Sequence, residues 1–456
     1  MEGGDPMGVK QMKILQVSTA DIAGGAESVA WRLFEAYRRL GYSSWLAVGV
    51  KRTTDHDVLL IPNNKFRTSW WTLFRRWIRR GLGHEDFDFP GTWHILDLPP
   101  RRPDILHCHN LHGPIAPGGG YFDLQALPQL SQHVPTVLTL HDCWLLTGHC
   151  AHPFNCERWK TGCGQCPDLS IYPAIRRDAT AYNWQRKRNI YAKSRLYVVT
   201  PSKWLMQKVK QSILAPAILE ARVIPNGVDL SIFRPADKQA VRAALGLPQD
   251  ARILLFSANG IRRNIWKDYQ TLRTAVALVA DELKMSNILF IALGEDAPPE
   301  QIGQAVAQFV PYQKDPVMVA RYYQTADLYI HAARADTFPN TVLEALACGT
   351  PVVATAVGGI PEQVKGLRLT PVTGKPIAPE FNAYTPEEAT GILVRQGDAI
   401  AMAEAIITLL KDKELRQRLG ENAARDARER FDLDRQVEVY LSWYKDLVLQ
   451  RLTSES

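Results

Sequence analysis

The sequence predicts an α/β protein of two doubly wound, Rossmann-like domains that face each other across a cleft, and three observations carry that expectation. The chain has 456 residues, enough for two large domains or about three of average size. Strand-length apolar runs alternate with helical patterns, which is the signature of βαβ units and a parallel sheet. That alternation runs through once and then begins again, so it describes two sheets.

The first series comprises MKILQVST, the run at 44–50, DILHCHN, TVLTLHD and LYVVTPS, with helical spacing between several of them, for example over 26–40. Residues 1–11 are polar and Gly-rich and read as a loose leader. The second series is ARILLFSANG, NILFIALG, DLYIHAA and TPVVAT, with helices expected at 269–282 and 341–348. Between them PNGVDLSIFRP (225–235) carries Pro-Asn-Gly and Arg-Pro turn signals and is the best linker. These signals set an N-terminal domain at 12–215, a linker at 216–235, a C-terminal domain at 236–430 and a last helix at 431–452 that returns to the first domain. On that helix Val437, Tyr440, Leu441 and Tyr444 share a face. Residues 365–390 contain four prolines without a period and read as a loop insertion.

Composition narrows the function. With 46% hydrophobic and 22% charged residues the chain has apolar surface for more than one core, which excludes disordered and fibrous classes. A net charge of +7 is too mild at this length to argue for nucleic acid. No apolar run is long enough for a transmembrane helix, and the first thirteen residues lack the basic and apolar regions of a signal peptide. A cytoplasmic location is therefore expected. Of seven cysteines, five fall between Cys143 and Cys166, and the odd total argues against a disulfide framework.

In open α/β sheets ligands bind at the carboxyl ends of the strands, so the chemistry is sought in the loops there. The sharpest constellation is ADTFPNTVLEALACGTPVV (335–353), in which Pro339 falls near a first helical turn, Glu344 inside the helix and Gly349 at its stop. Asp336 and Glu344 bracket a helix N-terminus, where backbone N–H groups suit an anion and the acids suit sugar hydroxyls. A nucleotide sugar offers both partners, whereas the plainer alternative makes these acids ordinary first-turn residues. In SANGIRRNIWKDYQTL, Arg262 and Lys267 can converge on a diphosphate and offset charge that develops as it leaves. Arg263 is a rival for the Arg role, and solvated loop cations are the alternative. Gly24 and Gly25 follow the first strand and open a helix, without the third glycine of a dinucleotide fingerprint. His141 ends a strand of the first domain, with His109 and His112 as weaker candidates for lining an acceptor side.

Taken together, these runs resemble retaining glycosyltransferases of the GT-B type, family 4. There a Glu, seven residues and a second Glu precede an Ala-Cys-Gly-x-Pro-Val-Val strand entry; here Asp336 replaces the first Glu, which sets its carboxylate back by about 1.5 Å. The resemblance implies that Glu344 holds the ribose hydroxyls, that Arg262 and Lys267 hold the diphosphate, and that Asp336 and His141 contact the sugar. It further implies that the Gly24-Gly25 loop faces the donor phosphates and that Phe338, Asn340 and Gly294 lie on the donor side. Gly358-Gly359 is another match. The HDxW, TGHC and CxxCP pattern is similar to a subset that builds bacterial exopolysaccharides, the colanic-acid type among them.

Cys163 and Cys166 have zinc-knuckle spacing, and Cys150 and Cys156 complete a four-thiolate structural zinc site, with His149 or His152 as substitutes. Reduced structural thiols, a redox pair or a disulfide are the alternatives. Residues 65–83 carry six basic and no acidic residues, and as a helix they set Trp70, Trp71, Phe74 and Trp77 opposite Arg75, Arg76, Arg79 and Arg80. That face suits an anionic membrane; the alternative is a helix that buries the same aromatics in its own domain. Two Asp-x-Asp matches, at 86–88 and 432–434, follow no convincing central strand and are set aside as metal sites.

The expected function is transfer of a sugar, with retention, from a UDP- or GDP-type donor to a glycan or polyprenyl-linked acceptor in polysaccharide biosynthesis, peripheral to the inner face of a membrane. No cofactor is required for catalysis. Alternatives are a sugar-nucleotide epimerase of the same fold and a catalytically dead scaffold, for which Asp336 is the sequence hint.

Overall fold

The computed structural model describes residues 12–22, 24–63, 70–112, 120–284, 287–369 and 377–455, with backbone alone for 71–73 and 454–455. The leader at 1–11, the part of the basic stretch at 65–69 and the Trp71 side chain lie outside the described residues. The chain divides into two compact units, Met1–Ile224 with Val437–Ser456, and Pro225–Gln436. Among the described residues no helix is long and apolar enough to cross a membrane.

In the first unit β1 (Lys13–Ala20), β2 (Ser43–Val50), β3 (Val58–Leu60), β4 (Ile105–Cys108), β5 (Thr136–Thr139), β6 (Leu196–Thr200) and β7 (Ile218–Val223) form one sheet. Its order is β3-β2-β1-β4-β5-β6-β7, and every pair is parallel. Every residue of β4 and β5 is buried, which parallel strands covered on both faces require. The strand order reverses between β1 and β4, and at such a point the loops diverge and open a crevice. The Gly24-Gly25 turn follows β1, while His109 and His112 follow β4. Helix Gly25–Arg39 buries Val29, Leu33, Phe34 and Tyr37. The last helix, Leu433–Glu455, buries Val437, Tyr440, Leu441 and Tyr444. Its Tyr444 hydroxyl lies 2.6 Å from His107 Nδ1 and its Tyr440 hydroxyl 3.1 Å from Thr139 Oγ1.

In the second unit β8 (Arg252–Ser257), β9 (Ile288–Leu293), β10 (Glu300–Ile302), β11 (Ala305–Val310), β12 (Leu328–His331), β13 (Val352–Thr355), β14 (Gly366–Leu367), β15 (Asn382–Tyr384) and β16 (Gly391–Val394) form the other sheet. The order is β10-β11-β9-β8-β12-β13-β16-β14-β15, with the β10–β11 pair antiparallel. Here the switch point lies between β8 and β12. It places the loop that carries Arg262 and Lys267 beside the loop that carries Asp336.

One expectation needs correction. The segment at 365–390 is not loop throughout, because β14 and β15 extend the sheet edge. Strands of two and three residues are too short to show a period. The Asn382 side chain fixes them by accepting from Leu393 N at 2.9 Å and donating to Leu393 O at 2.7 Å. Pro339 precedes its helix as the N-cap, and the helix runs over Asn340–Ala347. Gly349 ends that helix at φ +73°, a conformation that favours glycine.

Candidate functional site

The loop after β8 is shaped by Asn264, whose side chain donates to Asn259 O at 3.1 Å and accepts from Trp266 N at 3.0 Å. Main-chain bonds then join it to the loop after β12: Asp268 N donates to Ala332 O at 3.0 Å and Arg334 N to Trp266 O at 2.9 Å. This ladder brings Lys267 and Asp336 into an ion pair. His331, fully buried at the end of β12, joins them, with Nε2 3.3 Å from Asp336 Oδ2 and 3.4 Å from Lys267 Nζ. Its Nδ1 lies 3.0 Å from the Tyr329 hydroxyl. Burial and the Lys267 charge push the His331 pKa down to about 4, so the ring is neutral at physiological pH. Burial alone would raise the Asp336 pKa, but Lys267 and His331 outweigh it and hold the carboxyl well below the usual range.

Gly358 makes this arrangement sterically feasible. It sits at φ +58°, and a Cβ there would lie 1.7 Å from Asp336 O. Its neighbour Gly359 donates N–H to Thr337 O at 3.0 Å. The Gly-Gly turn after β13 therefore packs directly on the backbone of the acid.

Arg262 is held by Glu295. Its Nε donates to Glu295 Oε1 at 2.6 Å, and the Arg262 and Ile261 N–H groups donate to Oε2 at 2.9 and 2.7 Å. Its guanidinium lies over the Phe309 ring, 5.0 Å from the centroid, while Arg263 is exposed. Gly294 adopts φ +117° and a Cβ there would meet Ala258 O at 2.0 Å, so close backbone approach accounts for this glycine. Glu344 is buried and its Oε2 accepts from the Tyr323 hydroxyl at 3.1 Å. Asn340 Oδ1 accepts from Asn226 Nδ2 at 3.1 Å. Phe338 is buried against Phe431, with ring centroids 6.0 Å apart. The switch point of this unit thus gathers two basic residues, each already facing a carboxylate. His331, Glu295 and Tyr323 complete it. None of the three stands in a recognisable motif, although DLYIHAA did place His331 at a strand end.

In the first unit Gly24 is the N-cap of helix Gly25–Arg39, and Glu27 lies in the first turn. His141 Nε2 is 3.1 Å from His109 Nδ1, and His109 Nε2 is 3.1 Å from Gln16 Oε1. Burial pushes the His141 pKa down to about 4 and that of His107 to about 3. A separate pair forms alongside, His112 Nε2 lying 2.6 Å from Asp142 Oδ2.

The four thiols read as a zinc site, Cys150, Cys156, Cys163 and Cys166, are each partly exposed. Among the described residues no group of three or more His, Cys, Asp or Glu side chains is arranged to hold a metal ion, and all seven cysteines are free. Burial pushes the Cys150 thiol up to about 12 and Cys163 to about 11. Cys166 Sγ lies 3.4 Å from His149 Nε2. An ion pair outside any motif, Lys187 with Glu85 at 3.0 Å, lies beside this region, and Lys187 Nζ also donates to Trp144 O and Thr147 O.

Trp70, Phe74 and Trp77 of helix Trp70–Gly81 do not pack inward and are 61%, 45% and 69% exposed. The arginines are not uniformly in solvent, since Arg76 turns in to Asp86 at 2.5 Å while Arg75 is exposed. Asp86, part of one Asp-x-Asp match, is therefore an ion-pair partner.

Residues 23–232 match the family described as Glycosyltransferase Family 4, and residues 237–426 match Glycosyl transferases group 1. The chain is 28% identical over 366 residues to the protein named colanic acid biosynthesis glycosyl transferase WcaC of Escherichia coli K12, covering 75% of this chain and 83% of that one. The fold resembles sucrose-phosphate synthase from Thermosynechococcus elongatus, with TM-score 0.62 at 20% identity over 98% of this chain and 100% of that one. It also resembles Anabaena HepE, solved with UDP and glucose, with TM-score 0.61 at 17% identity over 96% and 100%. Two consecutive family matches and two largely parallel sheets of this order lead to one conclusion: the chain is a glycosyltransferase of the GT-B type.

Proposed function

We propose that the chain transfers a sugar from a nucleotide-diphosphate donor, of UDP or GDP type, to a glycan or lipid-linked acceptor with retention at the anomeric carbon. The setting is polysaccharide biosynthesis, with the enzyme peripheral to the inner face of a membrane. The observation that carries this reading is the pair of basic side chains at one switch point, Arg262 opposite Glu295 and Lys267 opposite Asp336. A diphosphate arriving there offers the same oxygen chemistry as the two carboxylates, and both cations stabilise the charge that develops on it as the sugar departs. Glu344 takes ribose hydroxyls, and Asp336, fixed by Lys267 and His331, takes a hydroxyl of the sugar. WcaC supports the polysaccharide setting by its name, and HepE, which binds UDP and glucose, supports the donor class.

A thermal-shift screen of UDP- and GDP-sugars tests the reading, because a ligand bound to the folded state raises the midpoint by mass action. One donor is expected to stabilise the protein, Glu344→Ala to abolish that shift, and the product of transfer to keep the donor's anomeric configuration by NMR. If no nucleotide sugar moves the midpoint, the reading is wrong.

A further inference from the structure

Three polar side chains from neighbouring strands meet at the switch point of the first unit: Gln16 of β1, His109 directly after β4 and His141 shortly after β5. Gln16 and His109 are 0% and 1% exposed, whereas His141 is partly exposed. His109 stands in the middle, with Nε2 3.1 Å from Gln16 Oε1 and Nδ1 3.1 Å from His141 Nε2. The Gln16 Nε2 is buried without a hydrogen-bond partner, so the contact with His109 is what this amide makes in return for its burial. A buried amide so poorly satisfied is costly, which points to a role for that one bond.

The chemistry of the three groups gives the chain a direction. Both rings are neutral, since burial pushes the His141 pKa down to about 4 and that of His109 well below its usual value. A neutral imidazole has one N–H and one bare nitrogen, so His109 donates through one nitrogen and accepts through the other. Gln16 presents its carbonyl oxygen, which only accepts, so His109 carries its proton on Nε2 and its Nδ1 is bare. His141 then holds its own proton on Nε2 and donates it to that Nδ1. Its Nδ1 is left as an open acceptor, with no hydrogen-bond partner among the described residues.

Packing holds the middle ring in place. The centroid of the His107 ring lies 4.2 Å from that of His109, and His107 is itself pinned by the Tyr444 hydroxyl 2.6 Å from Nδ1 and Thr139 Oγ1 2.7 Å from Nε2. On the other side the His141 ring lies within 20° of parallel to His109, with centroids 5.4 Å apart. Any turn of the His109 ring would break both of its hydrogen bonds. We infer that Gln16 and His109 are positioning residues that fix the tautomer of His141, so that its Nδ1 accepts a hydrogen bond from a hydroxyl of the transferred sugar. A bare nitrogen selects a hydroxyl over a carbonyl or ether oxygen at that place in the substrate. The inference rests on the glycosyltransferase reading for the identity of that hydroxyl, while the direction of the chain belongs to the first unit and is read without any donor.

The test is nitrogen NMR of the full-length protein carrying isotope-labelled histidine, in which protonated and bare ring nitrogens resonate far apart. The His141 signals are identified by their loss in His141→Gln. Wild type is expected to show His141 with its proton on Nε2 and Nδ1 bare between about pH 7 and 8, above the range in which an ordinary histidine titrates. Gln16→Leu removes the acceptor at similar volume; it should turn His141 into a mixture of tautomers and lower kcat/KM about tenfold, the worth of one hydrogen bond. Gln16→Glu restores an acceptor of the same length and should restore the single tautomer. Its carboxylate also favours the charged rings, so the acid limb of kcat/KM should move to higher pH, whereas a side chain that only filled space would leave that limb in place. The other titratable groups acting on the chain are Asp142, which raises the His141 pKa, and His107, which lowers that of His109; burial pushes the Tyr440 and Tyr444 hydroxyls up, so they stay neutral. A proton on His141 Nδ1 in wild type overturns the inference even if the Leu variant fails to fold. So does a Gln16→Leu variant that keeps the wild-type tautomer and turnover. The expected tautomer in a protein that binds no nucleotide sugar upholds the chain and removes only the donor assignment, and donor binding with the opposite tautomer removes only the role of Gln16 and His109.

Discussion

The Lys267 ammonium is ion-paired with the Asp336 carboxylate, and the pair ties the loop after β8 to the loop after β12. The two side chains are only 14% and 15% exposed, so their removal differs in kind from loss of a surface bridge. Lys267→Ala leaves Asp336 charged, covered and short of its main partner, a change that typically costs about 3–5 kcal/mol. It also removes a cation from the proposed leaving group, for which about 3 kcal/mol, or some hundredfold in turnover, is expected. Asp336→Asn keeps the shape and removes the charge. Thermal unfolding and initial rates of both variants check the two effects separately.

Stability should fall with acid in a window set by three neutral imidazoles. His107, His141 and His331 have folded pKa values of about 3, 4 and 4, below the roughly 6.5 of an unfolded histidine. Below about pH 6.5 the unfolded chain binds protons that the folded one refuses, so each histidine destabilises the fold progressively toward pH 4 and is without effect above about 7. Asp336 acts in the same direction lower down, since its folded pKa is depressed and its contribution is lost below about 3.9. Urea midpoints should therefore be level from pH 8 to 7 and decline from 6.5 to 4. A level profile down to pH 4 would contradict the neutral rings.

The glycine that packs on Asp336 gives a sharper test of the same loop. Gly358→Ala puts a Cβ where Asp336 O stands, at 1.7 Å, and does so at φ +58°. Strain of this kind costs of order 1–3 kcal/mol, and the carbonyl must move to relieve it. The variant should unfold several degrees lower and lose turnover beyond what its folded fraction explains. Gly397→Ala, also at positive φ but with nothing within 4 Å of the added carbon, is the control that isolates the contact from the conformational cost.

Both sheets were legible in the sequence because their central strands, such as β4, β5, β12 and β13, are fully buried parallel strands that read as mainly apolar runs with an occasional His or Thr. The edge strands were not, since β14 and β15 are too short for a period and rely on the Asn382 side chain. Arg262, Lys267, Asp336 and Glu344 could be found from motif spacing, but their partners could not. Glu295 and His331 follow or end different strands, and only the strand order brings them to those side chains. In the cysteine cluster, spacing along the chain suggests a tetrathiolate, and the intervening turns place Phe154, Cys163 and Gln165 at positive φ.

The exposed face of helix Trp70–Gly81 predicts adsorption to anionic bilayers. Trp70, Phe74 and Trp77 leave large apolar rings in water, and Phe74 and Trp77 stack with centroids 6.2 Å apart, forming a continuous patch. Such rings insert at the headgroup boundary while nearby arginines contribute about 1 kcal/mol each against acidic lipid. Arg76 is committed to Asp86, so its neutralisation would report on the fold; Arg75 and Arg79 are the appropriate arginines to remove. Replacing the three aromatics by serine should lower co-sedimentation with phosphatidylglycerol-containing vesicles at least tenfold and leave the unfolding midpoint within the roughly 0.5 kcal/mol typical of surface changes. The Arg75→Gln/Arg79→Gln variant should weaken binding at low salt and converge with wild type near 0.5 M, where the Debye length falls to about 4 Å. If the aromatic variant sediments as wild type does, the helix is not a membrane contact, and its exposed rings require a protein partner.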